Sequence, residues 1–306
     1  MKRIEFRAMG SRMLALLDSS AGQADESLVR LPAWFEEWEQ ALSRFRPDSE
    51  LSRLNRSGGR PVRVSKTLWE VFHAAREAGL KTGGLVTPTV LDALLKAGYD
   101  RSFEMLSPEQ AAYAETIHAP LDPAAAIGWD ASTRSLTLPV SVQIDFGGVA
   151  KGWAAHSAME RLARYGPALV DAGGDIAISG PRPAGDAWPI GINNPFESGV
   201  NFDTLRLGRC GVATSGKDYH RWLRDGRLYH HIIDPRSGAP AATDILAVTV
   251  VAPTVLDAEA AAKAVFILGS RAGLEWLEAD PDLAGVLVLD DGGFLYSRRL
   301  SAYLWR

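Results

Sequence analysis

Cysteine is almost missing from this chain: Cys210 is the only one in 306 residues. No intrachain disulfide can form, and no thiolate metal cluster can be built. Long hydrophobic runs are missing too. No stretch approaches the roughly 20 apolar residues of a membrane span. The N-terminus, MKRIEFRAMGSRMLALLDSS, alternates apolar and charged residues where a signal peptide needs an apolar core. The chain therefore reads as cytoplasmic, with neither signal nor lipid-anchor cysteine. An excess of positive charge is also absent. Lys and Arg number 33 against 37 Asp and Glu, a formal net charge of −4, which argues against nucleic acid or an anionic membrane as the main partner. With no internal repeat, low-complexity linker or clear boundary, residues 1–306 read as one compact unit, amply long to bury a core.

What is present is a mixture of helical and strand periodicities. Residues 3–17 read as a strand pair. Glu26–Leu42 carries Leu28, Leu31, Phe35, Trp38 and Leu42 at helical spacing. Lys66–Lys81 and Lys151–Tyr165 are further expected helices, the second ending at Gly166, where a C-terminal cap belongs. Strands are expected at Ala168–Asp171, Trp188–Ile192, Thr204–Leu207, Tyr229–Ile233 and Leu246–Val251. Helices follow at Thr254–Leu268 and Arg271–Glu278, then a hairpin of Gly285–Leu289 and Phe294–Arg298. Residues 102–127, rich in Ala, Pro and Glu, read as the least structured part.

Two glycine-rich segments carry the chemistry. Ile144–Gly152, IDFGGVAKG, reads as a strand end, a glycine pair and a lysine opening a helix. Glycine lets backbone approach a ligand, and a helix N-terminus offers free N–H groups to phosphate. Lys151 adds a positive charge and Asp145 an acceptor. Asp171–Asp175, DAGGD, returns a second glycine pair and a carboxylate from the next strand. By spacing alone, this is either a grip on a nucleotide-like ligand or two glycine turns in a sheet.

Seven blocks in order narrow the choice: MGS at Met9–Ser11, SRFRPDSELSRLN at Ser43–Asn55, TPTVLDAL at Thr87–Leu94, IDFGGVAKG, DAGGD, ATSG at Ala213–Gly216 and HHIIDPRSGAP at His230–Pro240. On these the chain resembles the ApbE family, the FAD:protein FMN transferases. The resemblance runs from MGS to the FILG around Phe266. It implies an α+β, T-fold-related architecture of mixed sheets flanked by helices. It also implies a reaction that splits FAD, attaches FMN through a phosphoester to a Ser or Thr of an acceptor flavoprotein, and releases AMP. In such a reaction the protein contributes mostly positioning and electrostatic stabilisation.

The resemblance further implies site residues. Met9 and Phe45 match positions lining the FAD site, the second usually tyrosine. Asp145 and Lys151 match an FAD-contacting pair, with Gly174 and Asp175 beside them. Thr214, Ser215 and Gly216 turn donors toward phosphate. His231, Ile233 and Asp234 pack against the flavin nucleotide. Gly148 matches a position that offers an oxygen to Mg²⁺. His231, Glu259 and Lys263 are the candidate catalytic residues.

Departures from the family pattern matter as much. Relatives usually carry D-x-x-x-T, often D-x-x-D-T, before the apolar run, oxygens that suit a hard cation. Here that pattern falls on Glu259, Ala262 and Lys263. Asp257 is out of phase by two residues and reads as a capping partner of Thr254. On a helix of about 100° per residue, Leu256, Ala260, Phe266 and Ile267 lie within about 60° of Lys263. A helix apolar nearly all round is buried, so Glu259 and Lys263 are expected as a buried pair, its ammonium standing where relatives place Mg²⁺. Thr87 also replaces the family's usual aspartate, so the local charge shifts positive twice. The alternative reading is an FAD-binding or flavin-carrier protein of the same family that has lost transfer.

Overall fold

The structure, a computed structural model, describes residues 1–20, 22–105, 124–218, 221–224 and 227–305. Most of the expected unstructured segment 102–127 therefore lies outside the described residues. The α+β class, with helices and sheets together, is as expected, and every strand pair among the described residues is antiparallel. Contacts divide the chain into two interleaved sets: Met1–Phe35, Lys151–Asp218 and Thr243–Arg306 form one; Glu36–Ala150 and Tyr219–Ala242 form the other.

The first set is built on an eight-stranded sheet whose spatial order follows the chain: β1 (Lys2–Ala8), β2 (Ser11–Leu17), β3 (Ala168–Ala172), β4 (Ile176–Ile178), β5 (Cys210–Gly216), β6 (Ile245–Ala252), β7 (Ala284–Leu289) and β8 (Phe294–Tyr296). All neighbours are antiparallel. Every residue of β6, ILAVTVVA, is buried. Such a run is what a strand covered on both faces requires. Val212 and Val251 share one apolar cluster with Trp188, Ile192, Leu205 and Leu207 of the hairpin Trp188–Asn193/Asn201–Leu207. Residues of opposite parity in β5 face a helix instead: a Cβ on Gly211 would run into the backbone of Thr254 and Val255.

Eight α-helices occur among the described residues: α1 (Gln23–Val29), α2 (Leu31–Leu42), α3 (Glu50–Asn55), α4 (Lys66–Lys81), α5 (Leu91–Lys96), α6 (Ala150–Leu162), α7 (Val255–Leu268) and α8 (Ser270–Ala279). α4 has its expected bounds. α7 packs on β5 and β6 and begins at the expected cap, Thr254 Oγ1 accepting from the Asp257 N–H at 3.1 Å. Other readings need correction. The single helix expected over Glu26–Leu42 breaks at Arg30, because Pro32 has no N–H to give the preceding turn. The strand expected at Tyr229–Ile233 divides into Arg227–His230 and Ile233–Asp234. Cys210–Gly216, read only as a ligand-facing ATSG block, is a central strand.

The second set holds α3, α4 and α5, a small sheet of Val62–Arg63, Ser135–Thr137 and Gly128–Asp130, and two short strand pairs. Ile144 belongs to no strand. Asn55 takes both its backbone groups, accepting from Ile144 N–H and donating to its carbonyl, each at 2.9 Å.

The space beneath α7 sets one expectation. Gly211→Ala should cost about 3 kcal/mol, the upper end for overpacking, since the new methyl meets backbone that cannot swing away. Urea unfolding should show a lower midpoint with unchanged slope.

Candidate functional site

In the first set, Glu259 is 1% exposed and both its oxygens are engaged. Oε1 lies 3.0 Å from Lys263 Nζ, and Oε2 accepts from Gly152 N–H at 3.1 Å. Gly152 lies in the first turn of α6, where N–H groups lack partners within the helix, so a carboxylate from α7 caps it. The expected Glu259–Lys263 pair on α7 is thus present, with Glu259 buried and Lys263 partly exposed. One residue before Gly152, Lys151 pairs with Asp175, which is almost wholly buried. Asp171 completes the group by accepting from Gly174 N–H at 2.7 Å.

The titration of this network follows from burial. Burial is the largest influence on Glu259 and, with Asp175 nearby, pushes its carboxyl up to about 7 against the pull of Lys263 and Lys151. Burial works against the Lys151 charge, yet Asp175, Glu259 and Asp171 hold it above the usual lysine range. Asp171 is raised chiefly by burial, with the Gly174 N–H opposing.

Three turns or strand ends lie around the network on the same sheet. Met9 and Gly10 form the two-residue turn between β1 and β2, with φ of 48° and 68°. A non-glycine residue held there stores about 1 kcal/mol or more of strain, a mark of functional sites. The DAGGD turn joins β3 to β4 and packs on this turn, since a Cβ on Gly173 would lie 2.7 Å from Ser11 Cβ. β5 runs past its last β4 pair, Val212↔Ile176, which carries Thr214 to the level of Gly174. Thr214 is exposed and its hydroxyl meets that of Thr249 at 2.8 Å; Ser215 is buried and Gly216 ends the strand.

In the second set, the expected strand end at Ile144 is a loop, because Asn55 and not a strand satisfies it. Asp145 follows, its N–H donating to Pro88 O at 2.8 Å and its Oδ1 accepting from Gly147 N–H at 2.7 Å. Arg44 Nε lies 3.1 Å from Asp145 Oδ2. Phe45 lies against that guanidinium, and Gly148 lies in the turn before α6. Thr87 bonds locally to Thr89 at 2.8 Å. Ile233 is core, packed with Trp222, Ala93, Leu94 and Ala97. Asp234 is tied to its own turn by Arg236, whose N–H it accepts at 2.9 Å. His231 is half-buried, whereas His230 is buried. The His230 Nδ1 accepts from Ile232 N–H at 3.3 Å, so its Nε2 donates to Ala241 O at 3.0 Å. Arg44, Asn55, Asp171 and His230 were not singled out as site residues, although all four sit inside the quoted motifs, which was the available signal.

The donor set does not suit a divalent cation. Glu259 already meets an ammonium and a backbone N–H, and Asp175 meets a second ammonium. Among the described residues no group of three or more His, Cys, Asp or Glu side chains is placed to hold a metal ion. No helix among them is long and apolar enough to cross a membrane.

Comparison with known proteins fits this arrangement. The family model described as the ApbE family matches residues 9–287. A Treponema pallidum protein named FAD:protein FMN transferase is 31% identical over 291 residues, covering 89% of this chain and 79% of the relative. A Vibrio cholerae protein of the same name is 30% identical, covering 85% and 78%. Among solved structures, the apo form of the Pseudomonas stutzeri flavinyl transferase ApbE superposes with a TM-score of 0.80 at 25% identity, covering 98% of this chain and 96% of that one.

The burial of Glu259 has a signed pH consequence. Its folded pKa lies above its ordinary value of 4.5, so between 4.5 and about 7 the folded protein holds a proton the unfolded chain has released. Wild-type stability relative to Glu259→Gln should therefore fall as pH rises through that window, by about 3 kcal/mol at about 1.4 kcal/mol per pH unit. The cost is absent below 4.5 and complete above about 7. Urea midpoints of the two proteins measured from pH 4 to 8 check this; parallel curves would refute it.

Proposed function

The chain belongs to the ApbE family, and we propose that it acts as an FAD:protein FMN transferase. The observation that carries the reading is the gathering, at one end of one sheet, of Lys151, Asp175, Glu259 and Lys263 with the MGS, DAGGD and TSG segments. The reaction forms a P–O bond between the FMN phosphorus and a Ser or Thr hydroxyl oxygen of an acceptor flavoprotein. It breaks the pyrophosphate P–O bond and releases AMP and the hydroxyl proton. Lys263, Glu259 and His231 are our proposed catalytic residues and Lys151 a proposed FAD-binding residue, the two lysines offsetting charge on the pyrophosphate. Met9, Gly174, Asp175, Thr214, Ser215 and Gly216 are proposed FAD-binding residues in the first set. Phe45, Thr87, Asp145, Ile233 and Asp234 are those in the second. We propose the whole of residues 1–306 as one functional domain acting in the cytoplasm.

The family implies Mg²⁺, with Gly148 and Glu259 among its ligands, and the residues present do not fit it. A divalent ion about 4 Å from the Lys263 ammonium would meet roughly 8 kcal/mol of repulsion at an effective ε of about 20. We therefore propose that the lysines carry the positive charge here. That same departure favours one second reading, a flavin carrier that binds FAD without splitting it.

Purified protein, FAD and a flavoprotein acceptor with a Ser or Thr target should release AMP in EDTA, with little gain from Mg²⁺. FAD bound without AMP release favours the carrier; activity lost in EDTA and restored by Mg²⁺ refutes the lysine substitution. Lys263→Thr with Glu259→Asp should create Mg²⁺ binding measurable by calorimetry. Lys151→Ala should weaken FAD binding most at low salt, because charge pairs open to solvent are screened at high ionic strength.

A further inference from the structure

Arg44 has no part in the proposed reaction, yet Asp145, Phe45 and Tyr99 of the second set all meet its side chain. Its side chain is only 5% exposed and that of Asp145 only 11%. The guanidinium carbon lies 4.1 Å from the centre of the Phe45 ring and 4.6 Å from that of Tyr99. Tyr99 in turn stacks on Trp222, centres 5.5 Å apart and planes at 29°, and Trp222 donates its indole N–H to Ala97 O at 2.9 Å. One end of this stack is anchored in the core. The other end, Phe45, is 40% exposed.

The arrangement is not one that stability alone would select. Arg44 Nη2 is buried and finds no hydrogen-bond partner among the described residues, and an unmet buried donor is costly. What the guanidinium does accomplish is geometric. It backs the ring of Phe45 with a flat cation and holds Asp145 Oδ2. Gly147 N–H holds Oδ1, so both carboxylate oxygens are immobilised, each with a lone pair left to offer. A rigid acceptor pair and an exposed aromatic face, both fixed by one side chain, suit a ligand with a planar ring and N–H or hydroxyl donors.

We propose that Arg44 is a positioning residue for the flavin nucleotide, acting through Asp145 and Phe45 without touching the ligand. The proposal rests on the FAD reading above. Lysine would not substitute, since it lacks the planar fork that stacks and bonds at once.

Titration of flavin fluorescence tests it with Arg44→Met, Arg44→Lys, Asp145→Asn and the double variant Arg44→Met/Asp145→Asn, folding checked by circular dichroism. Each single variant should weaken FAD binding at least about tenfold, the loss expected for one hydrogen bond to a charged group, with an unchanged number of sites. The double variant should fall within about threefold of the weaker single one, because both remove the same constraint. Multiplying losses, or fewer sites at unchanged affinity, would overturn the role of Arg44 and leave the FAD reading standing. Wild type that binds no FAD would overturn both. If Arg44→Met does not fold, Arg44→Lys decides: affinity equal to wild type overturns the proposal.

Discussion

A buried carboxylate cannot stand alone, and the first set of elements is organised by how Glu259 is accommodated. Its partners are the ammonium of Lys263 on its own helix and the N–H of Gly152 on another. The second contact requires that the first turn of α6 meet α7 and that residue 152 have no side chain, because a Cβ there would run into Oε2. With Gly152 so placed, Lys151 reaches Asp175, and Asp175 depends on the DAGGD turn. Breaking one partner of such a pair costs about 3–5 kcal/mol, since it strands the other charge. The ionic group is therefore also a set of positional constraints on three motifs distant in sequence.

The second set solves a similar problem without charge. Asn55 satisfies the two backbone groups of Ile144, 89 residues away, with a single amide. An amide offers a donor and an acceptor on one plane, so it can replace the strand that Ile144 lacks. The carboxylate of the next residue is then presented from a backbone already held. A neutral clamp beneath and an ion pair above leave Asp145 little freedom.

Much of this was legible in the chain, and the parts that were not have physical reasons. The burial of Glu259 followed from the apolar residues on every side of α7, although Lys263 stays partly exposed, and the start of that helix followed from Thr254 and Asp257. The central strand β5 was hard to see because CGVATSG has few branched residues and its fitness lies in Gly211, which only matters once α7 is above it. Pro32 was present in the sequence, but the apolar spacing from Leu28 to Leu42 runs through it uninterrupted. Lys151 was read as aimed at phosphate, and no local pattern reveals that it meets Asp175, 24 residues on. The tautomer of His230 and the stack on Arg44 depend on side chains brought together from separate segments, which periodicity cannot express.

The sheet's strands keep chain order, yet β2 and β3 pair with Leu17 opposite Ala168. Closing so long a loop weighs little on the final stability, because the entropy penalty grows only as the logarithm of length, about 0.6 kcal/mol per doubling. Its effect falls on the rate of folding, since distant pairings form late. The hairpin β1–β2 forms from neighbours, then carries a long unpaired edge until β3 arrives. Speed of assembly, more than equilibrium, is where this long connection is felt.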